Sequence, residues 1–158
     1  MTKFFFPVII TLIISCTKDN NEQLQINYGK FILVVVTNEK LSSGEVVTHD
    51  APAIIHVWKV GGRALETRSS TAFDGYAHDF LSGTTIKADY TYHLSQVAER
   101  VPVGNYLIYV ALDEDSQVAK FAWSQTYVDV MENQVIDLKK AFTTHAVSGQ
   151  YEPWDAAE

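Results

Sequence analysis

Four sets of side chains in this sequence could do chemistry, each of a different kind. His49-Asp50, Asp74, His78-Asp79, and Asp89 with His93 are the mixture of imidazole and carboxylate that a divalent cation takes, and Asp74, His78 and Asp79 are the tightest group for a metal-dependent hydrolysis. Their spacing fits no ligand frame, because no pair stands one helical turn apart on a helix face, and solvated loop residues are the plainer reading. Asp113-Glu114-Asp115 clusters the oxygens that calcium prefers, but lacks the glycine and the distal bidentate glutamate of a calcium loop. A turn after a buried strand accounts for it better. Ser43-Gly44, Ser82-Gly83 and Ser148-Gly149 each set a hydroxyl beside a glycine, yet none lies in a G-x-S-x-G frame or beside a paired base. His56 shares a strand face with Ile54, Trp58 and Val60, which suits a hydrogen-bonded, half-buried histidine. No catalytic residue and no cofactor is expected, and the metal candidates Asp74, His78 and Asp79 are weak.

The fourth set is aromatic. Between residues 121 and 130, period-two alternation puts Phe121, Trp123, Gln125 and Tyr127 on one face and Ala122, Ser124, Thr126, Val128 and Val130 on the other. If the small and β-branched face is the inner one, an aromatic strip is left toward solvent, suited to stacking on sugar rings or to a partner protein. The competing expectation is that Phe121, Trp123 and Tyr127 are core.

The elements that would hold these groups are strands. Phe31 to Val36, Ala53 to Val60 and Tyr106 to Leu112 are apolar runs of the kind buried on both faces. Gly61-Gly62 predicts a two-residue hairpin into Arg63 to Ser69, and Asp74-Gly75 a further turn. Thr85 to His93 alternates cleanly, and Phe121 to Val130 and Gln134 to Leu138 follow. Leu94, Val97, Ala98 and Val101 have helical spacing ahead of Pro102, which predicts one short helical turn near residues 94–101. The expectation is an all-β protein, a single β-sandwich of about 7–8 strands.

The N-terminal segment sets the compartment. Lys3 and the apolar run Phe4 to Ile14 have the form of a signal peptide, too short to span a bilayer as a finished helix. Ile13-Ile14-Ser15-Cys16 resembles the lipobox of bacterial lipoproteins, which implies cleavage before Cys16 and lipidation of that residue, the only cysteine among 158 residues. The resemblance implies a diacylglyceryl group and an amide-linked acyl chain, and two or three chains anchor far longer than one. The mature chain then has no thiol for a disulfide, a nucleophile or a metal. Removing Lys3 makes the formal charge of −7 one unit more negative, which argues against nucleic acid and against adhesion to anionic headgroups. The polar stretch Thr17 to Asn27 reads as a tether. Its Lys18-Asp19-Asn20-Asn21-Glu22 is similar to the acidic tag behind the lipidated cysteine of some Gram-negative surface lipoproteins. The organisation expected is signal peptide 1–15, tether 16–29, β-sandwich domain 30–142 and tail 143–158, with Tyr151 and Trp154 either pinning the tail or leaving it loose.

Two turn motifs carry a further resemblance. Thr71-Ala72-Phe73-Asp74-Gly75-Tyr76 and Val101-Pro102-Val103-Gly104-Asn105-Tyr106 resemble the T-x-x-D-G and V-P-x-G-x-Y patterns of the prealbumin-like fold, shared by carboxypeptidase regulatory-like and collagen-adhesin B-type domains. Physically, Asp-Gly makes a turn, and Pro-x-Gly leads sharply into a central strand whose tyrosine packs over the core. The family joins the two motifs by a few residues; here His78 to Arg100 intervenes, a long insertion of the sort that often carries function. The family's members serve as stalks, spacers or adhesive modules, and nothing catalytic transfers.

These readings converge on a lipid-anchored module of the Gram-negative outer membrane, with display on the cell surface expected ahead of a periplasm-facing anchor. Protein interaction or assembly is the first expectation. Carbohydrate binding through Trp123, Tyr127 and Phe121 is the second, and a metal-dependent hydrolase the last.

Overall fold

The computed structural model describes residues 26–67, 70–116, 119–143 and 145–154. Its centre is made by the two-sided apolar runs. β3 (Ala53–Lys59) and β9 (Gly104–Leu112) pair antiparallel. Ile55, Val57, Ile108 and Val110 are buried on one face, and Trp58, Leu107 and Tyr109 on the other. β10 (Trp123–Val130) and β7 (Tyr90–His93) complete this sheet in the order β10-β9-β3-β7.

A second four-stranded sheet is organised by β1 (Tyr28–Lys40). On one side β1 pairs in parallel with β11 (Val135–Thr143). On the other it pairs antiparallel, first with β8 (Gln96–Pro102) and then with β2 (Val46–Asp50). Phe31, Leu33 and Val35 of β1 meet Ile55, Val57, Ile108 and Val110 in one core, so the two sheets form a sandwich. Each fully buried aliphatic or Phe side chain contributes about 1.5–3 kcal/mol. Tyr106 closes the bottom of this core, and its hydroxyl donates to the Pro102 carbonyl at 2.6 Å. Burial pushes its pKa up to about 12.

The far face of the β3/β9 sheet is not left to water. A three-stranded sheet of β4 (Leu65–Glu66), β5 (Tyr76–Asp79) and β6 (Thr84–Lys87), with a 3₁₀ turn at Ser70–Ala72, lies over it. Leu65, Ala72 and Ala77 pack there against Trp58, Leu107 and Tyr109. The Trp58 indole N–H donates to the Ile86 carbonyl at 3.1 Å. The molecule is therefore all-β, a sandwich with a third, smaller layer.

Several expectations are corrected. Residues 94–101 hold no helical turn: Gln96–Pro102 is strand β8. Val97 and Val101 point inward, and the position between them is Glu99, whose carboxylate accepts from the Tyr92 hydroxyl at 2.9 Å. That charged residue at an inward position hides the period of two. Gly61 and Gly62 do turn, with φ of 56° and 81°, but the turn leaves the sheet. β4 pairs with β5 rather than with β3, so there is no hairpin there. Thr85 to His93 is two strands in two sheets. The break falls at Asp89, whose N–H donates to the Val57 carbonyl at 2.9 Å and whose carboxylate accepts from the Lys59 N–H at 2.6 Å. β1 begins before residue 30: Tyr28 and Gly29, assigned to the tether, are its first two residues. Gly29 is demanded by close approach, since a Cβ there would sit 2.4 Å from the Met131 carbonyl oxygen.

Candidate functional site: the outer face of β10

The alternation along β10 resolves with the small residues inward. Ser124, Val128 and Val130 are buried, and Trp123, Gln125 and Tyr127 face the other way. Tyr127 is 51% exposed and Phe121, just before the strand, 38% exposed. Phe121 has φ of 61°, a left-handed conformation that is uncommon for a bulky side chain. Its ring meets that of Phe73 edge-on, with centroids 4.8 Å apart.

Each member of the strip also holds a neighbour in place. The Tyr127 hydroxyl donates to the Leu65 carbonyl at 3.1 Å, and the Gln125 side-chain oxygen accepts from the Thr67 hydroxyl. The strip is thus the edge on which the third layer leans. Trp123 is half-buried, with its ring 5.6 Å from Tyr109 in a stacked arrangement and 4.8 Å from Tyr151 in a tilted one.

Tyr151 reaches Trp123 because the tail returns along β10. The Trp123 N–H donates to the Gln150 carbonyl at 2.9 Å, and the Glu152 N–H donates to the Trp123 carbonyl at 2.8 Å. These two bonds form a parallel bridge between Trp123 and Tyr151. The tail is therefore pinned through Tyr151, at least to Trp154. A shallow groove of about 440 Å³ runs along it, between Thr143 and Trp154.

Under the tail lies a residue that the sequence reading did not single out. Lys140 is in phase with Ile136, Leu138 and Phe142 on the inward face of β11 and has no exposed surface. Its ammonium donates to the Glu152 carboxylate at 3.0 Å and to the Ala141 and Pro153 carbonyls at 2.9 Å each. It also sits 4.7 Å from the centre of the Phe142 ring. An inward lysine on an edge strand discourages strand addition from outside. The signal was there as a lysine in phase with an apolar period of two.

The titratable candidates are dispersed into structural roles. Asp79 is buried, and its carboxylate accepts from the Ser82 hydroxyl at 2.6 Å and from the N–H groups of Ala64 at 3.0 Å and Leu81 at 3.2 Å. The Ser82 hydroxyl bond is the main cause that holds its pKa below the usual carboxylate value, and backbone donors add to it. His78 lies edge-on to Phe80, 5.2 Å between centroids. The Asp74 N–H closes the turn onto the Thr71 carbonyl at 3.1 Å. Among the described residues no three His, Cys, Asp or Glu side chains are gathered so as to hold a metal ion. Asp113 accepts from the Glu114 N–H at 2.7 Å, and His49 pairs with Glu39 at 3.6 Å on the exposed β1–β2 hairpin.

His56 is more buried than the sequence suggests, at 3% exposed. Its Nε2 lies 3.0 Å from the Phe73 carbonyl and its Nδ1 2.9 Å from the Thr91 hydroxyl. A carbonyl can only accept, so the neutral ring carries its proton on Nε2 and accepts from Thr91 at Nδ1. Burial lowers its pKa; the Phe73 bond and Asp74 oppose that, and His93 reinforces it. Gly75, at φ 83°, passes so close that a Cβ would lie 3.0 Å from His56 Cε1. The histidine is a polar bolt between the sandwich and its third layer.

Cys16 lies outside the described residues, as do residues 1–25 altogether. Among those described, no helix is long and apolar enough to cross a membrane. Comparison with protein-family models, with curated proteins and with solved structures found no match.

Proposed function

We propose that this chain is a lipid-anchored binding module of the bacterial envelope, a prealbumin-like domain tethered through Cys16 on the outer membrane and displayed at the cell surface, which docks a partner protein on the outer face of β10. The observation that carries the docking is the aromatic row on that face. Phe121, Tyr127 and Tyr151 are 38%, 51% and 47% exposed around the half-buried Trp123. Their backbones are fixed by the strand and its tail bridge, and the Tyr127 hydroxyl is already engaged by Leu65. Rigid aromatic side chains with satisfied polar ends lose little entropy on contact and are the residue types that dominate protein interfaces.

The test is a photocrosslinking amino acid at position 127 in intact cells. A discrete heavier adduct, absent when the same group stands at position 45 on the β1–β2 turn, is the expected result. Identical adduct patterns at both positions would contradict the docking face. Glycan capture is the second reading, supported by the exposed Tyr151 ring beside Trp123. Tryptophan emission that shifts across a panel of envelope glycans, with no protein adduct at position 127, would favour it over the first.

A further inference from the structure

The β5–β6 turn presents two bulky apolar side chains to water, and it does so with every backbone donor of the turn satisfied from within. Phe80 is 62% exposed and Leu81 73% exposed. The Phe80 N–H donates to the Ala64 carbonyl at 3.0 Å, and the Gly83 N–H to the Asp79 carbonyl at 2.8 Å. The Leu81 N–H donates to the Asp79 carboxylate at 3.2 Å, and the Ser82 N–H is bonded to the same carboxylate. The Ser82 hydroxyl donates to that carboxylate as well, at 2.6 Å. An ordinary solvent-facing turn leaves some of these amides to water. This one is organised so that losing water would cost its backbone donors little.

Its place in the fold points to what replaces the water. The chain enters the sandwich at Tyr28, which pairs with Pro102 of β8. Pro102 leads through Val103 to β9, where the Asn105 carbonyl accepts from the Val60 N–H at 2.8 Å. The Arg63 N–H donates back to Val60 at 3.0 Å, and the Ala64 carbonyl receives the Phe80 N–H. These bonds place the Phe80–Leu81 tip at the end of the sandwich where β1 begins. Met131, 65% exposed, and Ile26, 58% exposed, stand at that same end, where the Asn133 N–H donates to the Tyr28 carbonyl at 2.9 Å.

We infer that the Phe80–Leu81 turn is a lipid-contacting tip that seats the chain-entry end of the domain on the bilayer to which the N-terminus is anchored. This rests on the lipid-anchor reading above. Burying apolar side chains at the boundary of headgroups and acyl chains is favoured by apolar area and by paired backbone N–H groups, and the tip supplies both. The acidic surface directs the contact to zwitterionic lipid rather than to anionic headgroups. The lipid chains hold the protein at the membrane; the tip sets its orientation.

The test uses the full-length chain purified from membranes and reconstituted into phosphatidylethanolamine/phosphatidylcholine vesicles, with an environment-sensitive thiol label on Leu81→Cys or, as control, on Ser43→Cys of the β1–β2 turn. Lipids bearing a nitroxide about 5–10 Å below the surface, the depth typical of interfacial side chains, should quench the label at position 81 several-fold more than the label at position 43. Equal, water-like emission from both positions would overturn the proposal. A blue-shifted label at position 81 in native envelopes but not in protein-free vesicles would overturn it too, and would point to a protein pocket. Label stoichiometry reads the anchor separately: one label per chain is expected when Cys16 carries lipid, and two would overturn the anchor reading itself.

Discussion

The Lys140 ammonium lies 3.0 Å from the Glu152 carboxylate, with the lysine side chain wholly buried and the glutamate side chain 19% exposed. The pair joins the end of β11 to a tail that also bridges β10, so it spans the open side of the sandwich between its two edge strands. Breaking such a pair from the acidic side leaves a buried ammonium without the Glu152 charge, which is the worse of the two ways to break it. Glu152→Gln should lower stability by about 2–3 kcal/mol, while Lys140→Met, which removes the buried charge and keeps the volume, should cost less. Denaturant unfolding of both variants checks the order; a larger loss for Lys140→Met would contradict it.

His56 makes stability depend on pH in a defined direction. Its folded-state pKa is depressed by burial, so the unfolded chain takes up a proton below about pH 6.5 where the folded chain does not. The contribution is complete above that pH and declines as pH falls toward the folded-state value, by at most about 1.4 kcal/mol per pH unit. His56→Gln should flatten the difference across that window. A wild-type curve parallel to that of the variant would contradict the assignment. Asp79 acts in a separate window: its folded pKa is also depressed, so its contribution is present above its unfolded value and is lost as pH falls through the more acidic range.

Gly75→Ala should destabilise by about 2 kcal/mol, combining a left-handed backbone with a methyl pressed on the His56 ring. The amide-exchange protection of the third layer should fall more than that of β1. Uniform loss across both would mean that His56 does not fasten that layer.

Ser124 offers a gain. Its hydroxyl is fully buried and, in the structure as described, without a hydrogen-bond partner. Ser124→Ala removes an unsatisfied donor from the core and should stabilise the protein by about 1 kcal/mol. A destabilised variant would show that the hydroxyl is satisfied after all.

The parts of this fold that were legible in the sequence are those where one physical effect dominates. Ala53–Lys59 and Gly104–Leu112 read as two-sided apolar strands because water is excluded from both faces, while Phe31 to Val36 of β1 is buried on one face and largely half-buried on the other. Val46–Asp50 was invisible because it is exposed along most of its length and shows no apolar period. β8 was misread because Glu99, whose carboxylate accepts from the Tyr92 hydroxyl, stands where an apolar residue would mark the strand. The parallel β1–β11 pairing and the split of Thr85–His93 between two sheets are long-range facts that alternation cannot encode. At the site, the inward choice of the small face of β10 was left open by the sequence. Sheet packing decides it: Ser124, Val128 and Val130 are buried, and the two valines join the core lined by Phe31, Leu33, Val35 and Phe142. The roles of Lys140 and Tyr151 depended on where the tail returns.

The central claim, that this domain works from a lipid anchor at Cys16, is tested most directly by the intact mass of the chain extracted from membranes. The account predicts a species that lacks residues 1–15 and carries the added mass of two or three acyl chains on Cys16. A membrane-extracted chain that retains residues 1–15, or whose Cys16 bears no added mass, would contradict it.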